Sequence, residues 1–277
     1  MIPKIIHYCW FGGNPLPELA QKCIASWKKY CPDYEIKEWN ESNFDLNCCD
    51  YVREAYAAKR WAFVSDYARF LILYHEGGLY FDTDVEIIKP INEILEQGPF
   101  FGCEKGDGVA PGLGMAANPG LGMAANPGLG MYKEILNFYQ HKHFRNEDGV
   151  TDTTTIVVYT SGILKSHGWK PEESIQKVEG ITIYPPEYFC PMDYRTGELM
   201  ITPNTYTIHH YSASWYTDKE RKFENIRRKF KHIFGDKGYA LAGIVCIPLR
   251  AANKLEIDGW NGTFQSIKKK FRKENKG

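Results

Sequence analysis

The sequence predicts an α/β fold built on a mainly parallel sheet, and three observations carry that prediction. The chain opens with an apolar run, "PKIIHYCWF", a helical spacing and an alternating "YEIKEW", which together read β-α-β. A second helical pattern, "WAFVSDYARFLILYHEGG", is closed by a glycine pair and feeds a short apolar run, "LYF". That run ends in two carboxylates, Asp82 and Asp84, at the strand end where open α/β sheets bind ligands.

The elements follow in order. Leu19, Cys23, Trp27 and Tyr30 recur at helical spacing, and Pro32 closes that helix. "DYVREAYAAKR" is helical, and Phe63, Tyr67, Phe70, Leu71 and Tyr74 line one face of the next helix up to Gly77 and Gly78. "LYFDTDVEII" reads as strand, acidic turn, strand, and "GPFFGCEK" as a further strand. "PGLGMAAN" then occurs at 111–118 and again at 119–126, and "PGLGM" starts a third time at 127. Eight residues are too short a period for a solenoid, and such dense Pro and Gly predict one tolerant loop with a tandem duplication in it. "YKEILNFYQHK" is a helix, "TTTIVVYTSGILKSHG" turns helical towards its end, and "ITIYPPEYFCP" is a strand running into a Pro-rich turn. "TYTIHHYSASW" alternates as a strand ending at a polar turn. A basic helix near 218–232, a short apolar segment "YALAGIVCIPL" and a last basic helix "FQSIKKKFRK" complete the chain.

A chain of 277 residues holds one large α/β domain, or one with a small appendage. Its 43% hydrophobic and 25% charged residues are those of a soluble globular protein. Net charge is zero but uneven, because from Lys219 onward 16 Lys and Arg face 6 Asp and Glu. Such a basic tail suits phosphates, nucleic acid or an anionic lipid surface. None of the eight cysteines forms a C-x-x-C pair, which argues against zinc. "MIPKIIHYCWFGG" has no basic region followed by a signal-length apolar run, and no window reaches the length needed to span a bilayer. A cytoplasmic protein with reduced thiols is expected, with room for peripheral attachment to the inner face of the cell membrane.

Two Asp at i and i+2 off a strand end face the same way. Carboxylates placed together repel unless a cation neutralises them, and hard divalent ions take carboxylate and phosphate oxygens. Magnesium or manganese bridging to a diphosphate is one reading of Asp82 and Asp84; a solvated turn with Asp as turn former is the other. Phosphatases of the haloacid-dehalogenase type also use Asp-x-Asp, but with Thr or Val where this chain has Glu86. One helix earlier, Asp66 and Arg69 share a face in apolar surroundings, a pairing that can bind vicinal hydroxyls. Downstream, His209, His210, Ser214 and Trp215 fall at a strand end. A histidine there could complete a metal shell, and Ser or Trp could bond a phosphate oxygen.

"IPKIIHYCWFGG", "SDYARFLILYHEGGLYFDTDVE" and "HHYSASW", in this order and spacing, resemble glycosyltransferase family 32. These are DXD-containing sugar transferases of capsule and lipopolysaccharide synthesis, related to yeast mannosyltransferases and to the catalytic domains of large clostridial glucosylating toxins. The resemblance covers residues 1–105 and 205–216; the Thr-Gly-Pro motif expected near 160 reads "YTSGIL". It implies a GT-A fold with a mixed, mainly parallel central sheet, a catalytic domain over 1–217 and a basic helical extension over 218–277. It implies a nucleotide-sugar donor, a UDP-sugar first, a manganese or magnesium ion, and retention of anomeric configuration. By motif position, Trp10 is expected near the base and Tyr80 in the pocket wall. Asp66 and Arg69 are expected on the donor sugar, Asp82 on ribose, sugar or metal, and Asp84 on the metal. His210 or His209 is expected beside that metal, with Ser214 and Trp215 near the diphosphate. The implied acceptor is a glycan or lipid-linked glycan of a bacterial surface polysaccharide, with an anionic membrane as a further partner and no nucleic acid. A toxin-like transferase acting on protein and a non-catalytic sugar-nucleotide-binding protein are the alternatives.

Overall fold

The computed structural model describes residues 2–105, 108–117, 129–194, 196–212 and 216–274. In chain order these form β1 (Ile5–Cys9), α1 (Glu18–Tyr30), β2 (Glu35–Trp39), α2 (Asp50–Ala57), α3 (Trp61–Glu76), β3 (Gly78–Tyr80) and β4 (Val85–Ile87). There follow α4 (Asn92–Glu96), β5 (Phe100–Glu104), β6 (Gly108–Val109), a 3₁₀ turn at Pro111–Leu113, β7 (Met115–Ala117), α5 (Leu129–Gln140) and α6 (Ile156–Ser166). The chain continues through β8 (Gln176–Val178), β9 (Ile181–Tyr184), α7 (Pro186–Phe189), β10 (Thr207–His209), α8 (Asp218–Val245) and α9 (Ile247–Glu274). It divides into two units: Met1–Lys142 with Thr154–Asp193 and Glu198–Ser212, and His143–Thr153 with Tyr194–Gly197 and Ala213–Gly277.

The first unit is a mixed α/β domain. Its eight-stranded sheet has the order β2-β1-β3-β7-β5-β9-β8, with β6 on β5. β1, β2, β3, β5 and β9 run one way, and β6, β7 and β8 run against them. β1 lies inside the sheet between β2 and β3, and Ile6, His7, Tyr8 and Cys9 are all buried, as a strand covered on both faces requires. Burial pushes the His7 imidazole down to about 4, so it is neutral. Trp39 Nε1 donates to His7 Nδ1 at 3.1 Å, which leaves His7 Nε2–H to donate to the Gly77 carbonyl at 3.0 Å. That bond ties the end of α3 to β1. The turn there needs both glycines: φ is 68° at Gly77 and 93° at Gly78, and a Cβ on Gly78 would sit 2.7 Å from the Ile5 carbonyl.

α1 buries Ala20, Cys23, Ile24 and Trp27 and grips the segment after β3. Trp27 Nε1 donates to the Val85 carbonyl at 2.7 Å, and the Ile87 N–H donates to Ser26 Oγ at 2.9 Å. β4 in turn pairs antiparallel with β10, setting His209 opposite Val85.

One expectation is overturned. The first "PGLGMAAN" is not part of a loop: Met115–Ala117 is β7, in the middle of the sheet between β3 and β5. Leu113 and Met115 are buried, so the sheet's need for a strand between β3 and β5 overrides the local Pro-Gly signal. The second copy lies wholly outside the described residues. In the third, Leu129, Gly130 and Met131 begin α5, so the tripeptide Leu-Gly-Met takes two conformations.

In the second unit, Thr217 and Glu220 form a capping box at the start of α8. "YALAGIVCIPL" is helical and belongs to α8 and α9, which bend at Gly235 and Gly259. Asp258 accepts the Thr151 N–H at 3.0 Å and pairs with Lys254 Nζ at 2.6 Å, tying 143–153 to α9.

Candidate active site

The end of β3 is where the first unit gathers its charged side chains. α3 presents Asp66 and Arg69 one turn apart, and both are buried, at 7% and 4% exposure. Arg69 Nη2 lies 3.1 Å from Asp66 Oδ1 and 3.3 Å from Asp82 Oδ1, and its Nε donates to the Ser65 carbonyl at 3.0 Å. The guanidinium is held between two carboxylates and covers the Tyr80 ring, 4.9 Å from its centroid. Tyr80 Oη donates to Asp82 Oδ1 at 3.1 Å. Burial raises the Asp66 carboxyl to about 6; Arg69 opposes the shift and Asp82 adds to it.

Asp82 and Asp84 do not share partners. The strand stops at Tyr80 and the chain turns, with the Val85 N–H donating to the Asp82 carbonyl at 3.1 Å. The same-face expectation assumed a continuing strand, and the turn removes its basis. Asp82 keeps to Arg69 and Tyr80, with about a third of its side chain (32%) open to solvent. Asp84 is nearly buried; its Oδ2 accepts the Ser212 N–H at 2.8 Å, and its Oδ1 lies 3.3 Å from His209 Nε2. Burial alone would raise the Asp84 carboxyl, but His209 and the Ser212 N–H outweigh it and hold the group well below the usual carboxylate range. His209 is raised well above its ordinary value: burial pulls it down, and Asp84 more than restores it.

The two histidines are therefore distinguished. His209 faces Asp84, whereas His210 Nε2 pairs with Glu86 Oε2 at 2.8 Å. Of the two histidines that the sequence left open, His209 is the one whose side chain meets Asp84, because β10 alternates and its register sets His209 beside the turn. Trp10 follows β1 by one residue on the same sheet edge. It packs partly buried on the core, and its Nε1 donates to the Asn14 carbonyl at 2.6 Å. Ser214 and Trp215 lie outside the described residues. Two partners were not singled out in the sequence. The Gly112 carbonyl accepts the Asp82 N–H, and Glu104 ends β5. Nothing local marks either, since both reach the site only through sheet pairing.

Among the described residues, no three His, Cys, Asp or Glu side chains form a metal cage. The donors present still suit a hard divalent ion, because magnesium-type sites use one or two carboxylates and take the rest from substrate phosphates and water. Asp84 is ionised, and each of its oxygens retains a lone pair beyond the contacts made by His209 and Ser212. Asp82 adds an open carboxylate edge.

Residues 17–101 match the family described as "Glycosyltransferase sugar-binding region containing DXD motif". The matched span takes in α1, α3, both aspartates and Arg69. Inositol phosphoceramide mannosyltransferase 1 of Schizosaccharomyces pombe is 30% identical over 110 residues, covering 36% of this chain and 33% of that protein. Inositol phosphoceramide mannosyltransferase 3 of the same organism is 33% identical over 102 residues, covering 34% of this chain and 27% of that protein. The chain spans less than half the length of these curated relatives. A solved glycosyltransferase involved in the glycosylation of the major capsid of PBCV-1 superposes with a TM-score of 0.41 at 14% identity, over 80% of this chain and 99% of that one.

Proposed function

We propose that this chain is a metal-dependent, retaining glycosyltransferase of the GT-A type. It moves a sugar from a nucleotide-sugar donor, a UDP-sugar first, to a saccharide or lipid-linked acceptor in surface polysaccharide synthesis. The observation that carries the reading is the Asp82–Asp84 turn at the end of β3, inside the span that matches a DXD sugar-binding region. Residues 1–217 form the catalytic part and 218–277 an extension.

Arg69 fixes Asp82 by pairing and Tyr80 by stacking, which leaves the open edge of Asp82 to accept a donor hydroxyl. Asp66 holds the other side of that guanidinium. Asp84 stays ionised and would hold manganese or magnesium, with Asp82 as the second candidate carboxylate and His209 paired to Asp84. A divalent ion there supplies positive charge where the nucleoside diphosphate gains negative charge in the transition state. Trp10 is assigned to stack on the base, and Ser214 and Trp215 to bind the diphosphate. Attack on the face from which the diphosphate departs accounts for retention, with the leaving phosphate taking the acceptor's proton. A membrane-borne acceptor is supported by the inositol phosphoceramide named in two relatives and by the basic charge beyond residue 218. The enzyme then works in the cytoplasm, at the inner face of the membrane.

The test is hydrolysis of a nucleotide-sugar panel with manganese, with magnesium and with chelator. Turnover is expected to need the metal, and Asp84→Asn to fold normally but lose about a hundredfold or more in rate. Undiminished turnover by Asp84→Asn in chelator would overturn the assignment.

A further inference from the structure

Tyr80 of β3 and Phe101 of β5 both stand opposite Met115 of β7. β3 and β5 therefore run side by side across one strand and point the same way. Their C-terminal ends share one edge of the sheet, about 10 Å apart at two strand spacings. Asp82 follows Tyr80 by two residues, and Glu104 follows Phe101 by three, so the same edge that carries the aspartate turn carries a further carboxylate.

Its surroundings tie it to the site. Glu104 lies within electrostatic range of His209, which pairs with Asp84, and of Tyr211, whose ring packs on His209 at 4.1 Å. Gly108 stands over it: a Cβ there would lie 3.4 Å from Glu104 Oε1 and 2.5 Å from Val157 Cγ1, so the backbone closes in without covering the oxygens. The side chain is partly buried, and burial raises its carboxyl above the usual range. The neighbouring carboxylates all have donors. Asp66 and Asp82 have Arg69, Asp84 has His209 and Ser212, and Glu86 has His210. Among the described residues, no hydrogen bond or ion pair reaches the Glu104 oxygens. A carboxylate held partly out of water with no protein donor is available to a ligand hydroxyl, which would return the hydrogen bond that burial weakens.

We propose that Glu104 is a sugar-binding residue whose carboxylate accepts a hydrogen bond from a hydroxyl of the sugar lying along the edge between β3 and β5. The proposal rests on the glycosyl-transfer reading above. The hydroxyl belongs either to the donor sugar or to the acceptor sugar, and the two sources separate by experiment.

The wild type, Glu104→Gln and Glu104→Ala are titrated calorimetrically, with manganese, against UDP and GDP and then against UDP-glucose, UDP-galactose and GDP-mannose. Donor hydrolysis and transfer to octyl glycosides are measured alongside. In Glu104→Ala the bare diphosphates and the unfolding midpoint are expected to be unchanged. If the donor supplies the hydroxyl, the affinity for its sugar nucleotide falls about tenfold or more. If the acceptor supplies it, donor affinity and hydrolysis hold, while KM for the glycoside rises about tenfold or more. Glu104→Gln keeps a carbonyl acceptor and loses less in either case. The proposal is overturned if Glu104→Ala keeps all three quantities within about twofold of the wild type, or if it also loses the bare diphosphates. A wild type that binds neither diphosphates nor sugar nucleotides removes the glycosyl-transfer reading itself, and does so before any variant is made.

Discussion

The Gly112 carbonyl accepts the Asp82 N–H at 2.8 Å, and a Cβ on Gly112 would lie 1.8 Å from Asp82 Oδ2 and 2.9 Å from Arg69 Nη1. The first copy of the octapeptide is thus a wall of the site. Its glycine lets backbone approach a carboxylate and a guanidinium, and its Met115 pairs with Tyr80, two residues before that carboxylate.

Deleting 119–126 leaves the sequence Pro111–Asn118 intact and joins it to Pro127. Loop-closure entropy changes little with such a cut, so stability within ~1 kcal/mol of the full chain is expected, with near-normal donor hydrolysis. The shortened chain carries only one whole copy, which makes it the background for Gly112→Ala. There the Cβ must displace Asp82 or Arg69. Turnover is expected to fall about a hundredfold for a shift near 1 Å, with a loss of ~1–3 kcal/mol in stability by urea denaturation. Unchanged hydrolysis by Gly112→Ala would mean that the position of Asp82 does not matter to the reaction.

His209 and His210 give a second contrast. His209→Ala strips Asp84 of its buried cationic partner, and turnover is expected to drop about tenfold or more. His210→Ala breaks a pair with the more exposed Glu86, so rates within about threefold are expected. Steady-state kinetics on both variants checks the order, and a larger loss from His210→Ala would reverse the assignment made here.

The site was legible in the sequence where its residues are neighbours along the chain. Asp66 and Arg69 on one helix face, the Gly77–Gly78 stop and the aspartates after "LYF" are local patterns, and each is found in its expected element. Two kinds of feature escaped. Which histidine meets Asp84 depends on the β4–β10 register, which the "HH" doublet does not encode. Gly112 and Glu104 arrive across β7, whose Pro and Gly look like a loop until the sheet is assembled around Met115. In both cases long-range pairing decided, and local propensity had no part.

Asp66 gives a pH prediction. Its folded carboxyl is raised to about 6 by burial, against Arg69 and the Ile156 N–H and with Asp82 adding to the rise. An unfolded Asp titrates near ~3.9, so between there and about 6 the folded state binds more protons. The contribution of Asp66 is therefore full below the lower value and is lost as pH rises through the window. Measured by urea denaturation at pH 4 to 7, the wild type is expected to lose stability relative to Asp66→Asn by roughly 1–3 kcal/mol as pH rises. Asp84, with its lowered carboxyl, titrates the opposite way in both proteins and cancels. A difference that stays flat across the range would show that Asp66 is not desolvated.

The last prediction concerns the outer face of the second unit. Beyond the bend at Gly235, the buried positions are Gly238, Ala242 and Cys246, four residues apart, which defines one helix face. The opposite face should be polar if water covers it. Instead Ile244 lies opposite those positions at 65% exposure, and Leu241, Val245 and Ile247 near it are exposed as well. Trp260, just past the bend at Gly259, is 81% exposed. No helix among the described residues is long and apolar enough to cross a membrane. A short outward apolar stripe flanked by Arg227, Arg228, Lys229, Lys231 and Lys237 fits a helix that lies in the interface of an anionic leaflet, at ~1 kcal/mol per basic residue near the surface. Co-sedimentation with phosphatidylglycerol vesicles is expected at low salt, weakening as salt shortens the Debye length. Ile244→Asp combined with Ile247→Asp is expected to weaken binding about tenfold or more by removing apolar burial and adding like charge, while leaving donor hydrolysis in solution unchanged. Removal of 265–277, with its five lysines and one arginine, is expected to weaken it mainly through charge, so that its deficit shrinks at high salt whereas that of the double variant persists. If the full chain ignores anionic vesicles at low salt, the apolar face meets another protein surface, and a lipid-linked acceptor must reach the site by a different route.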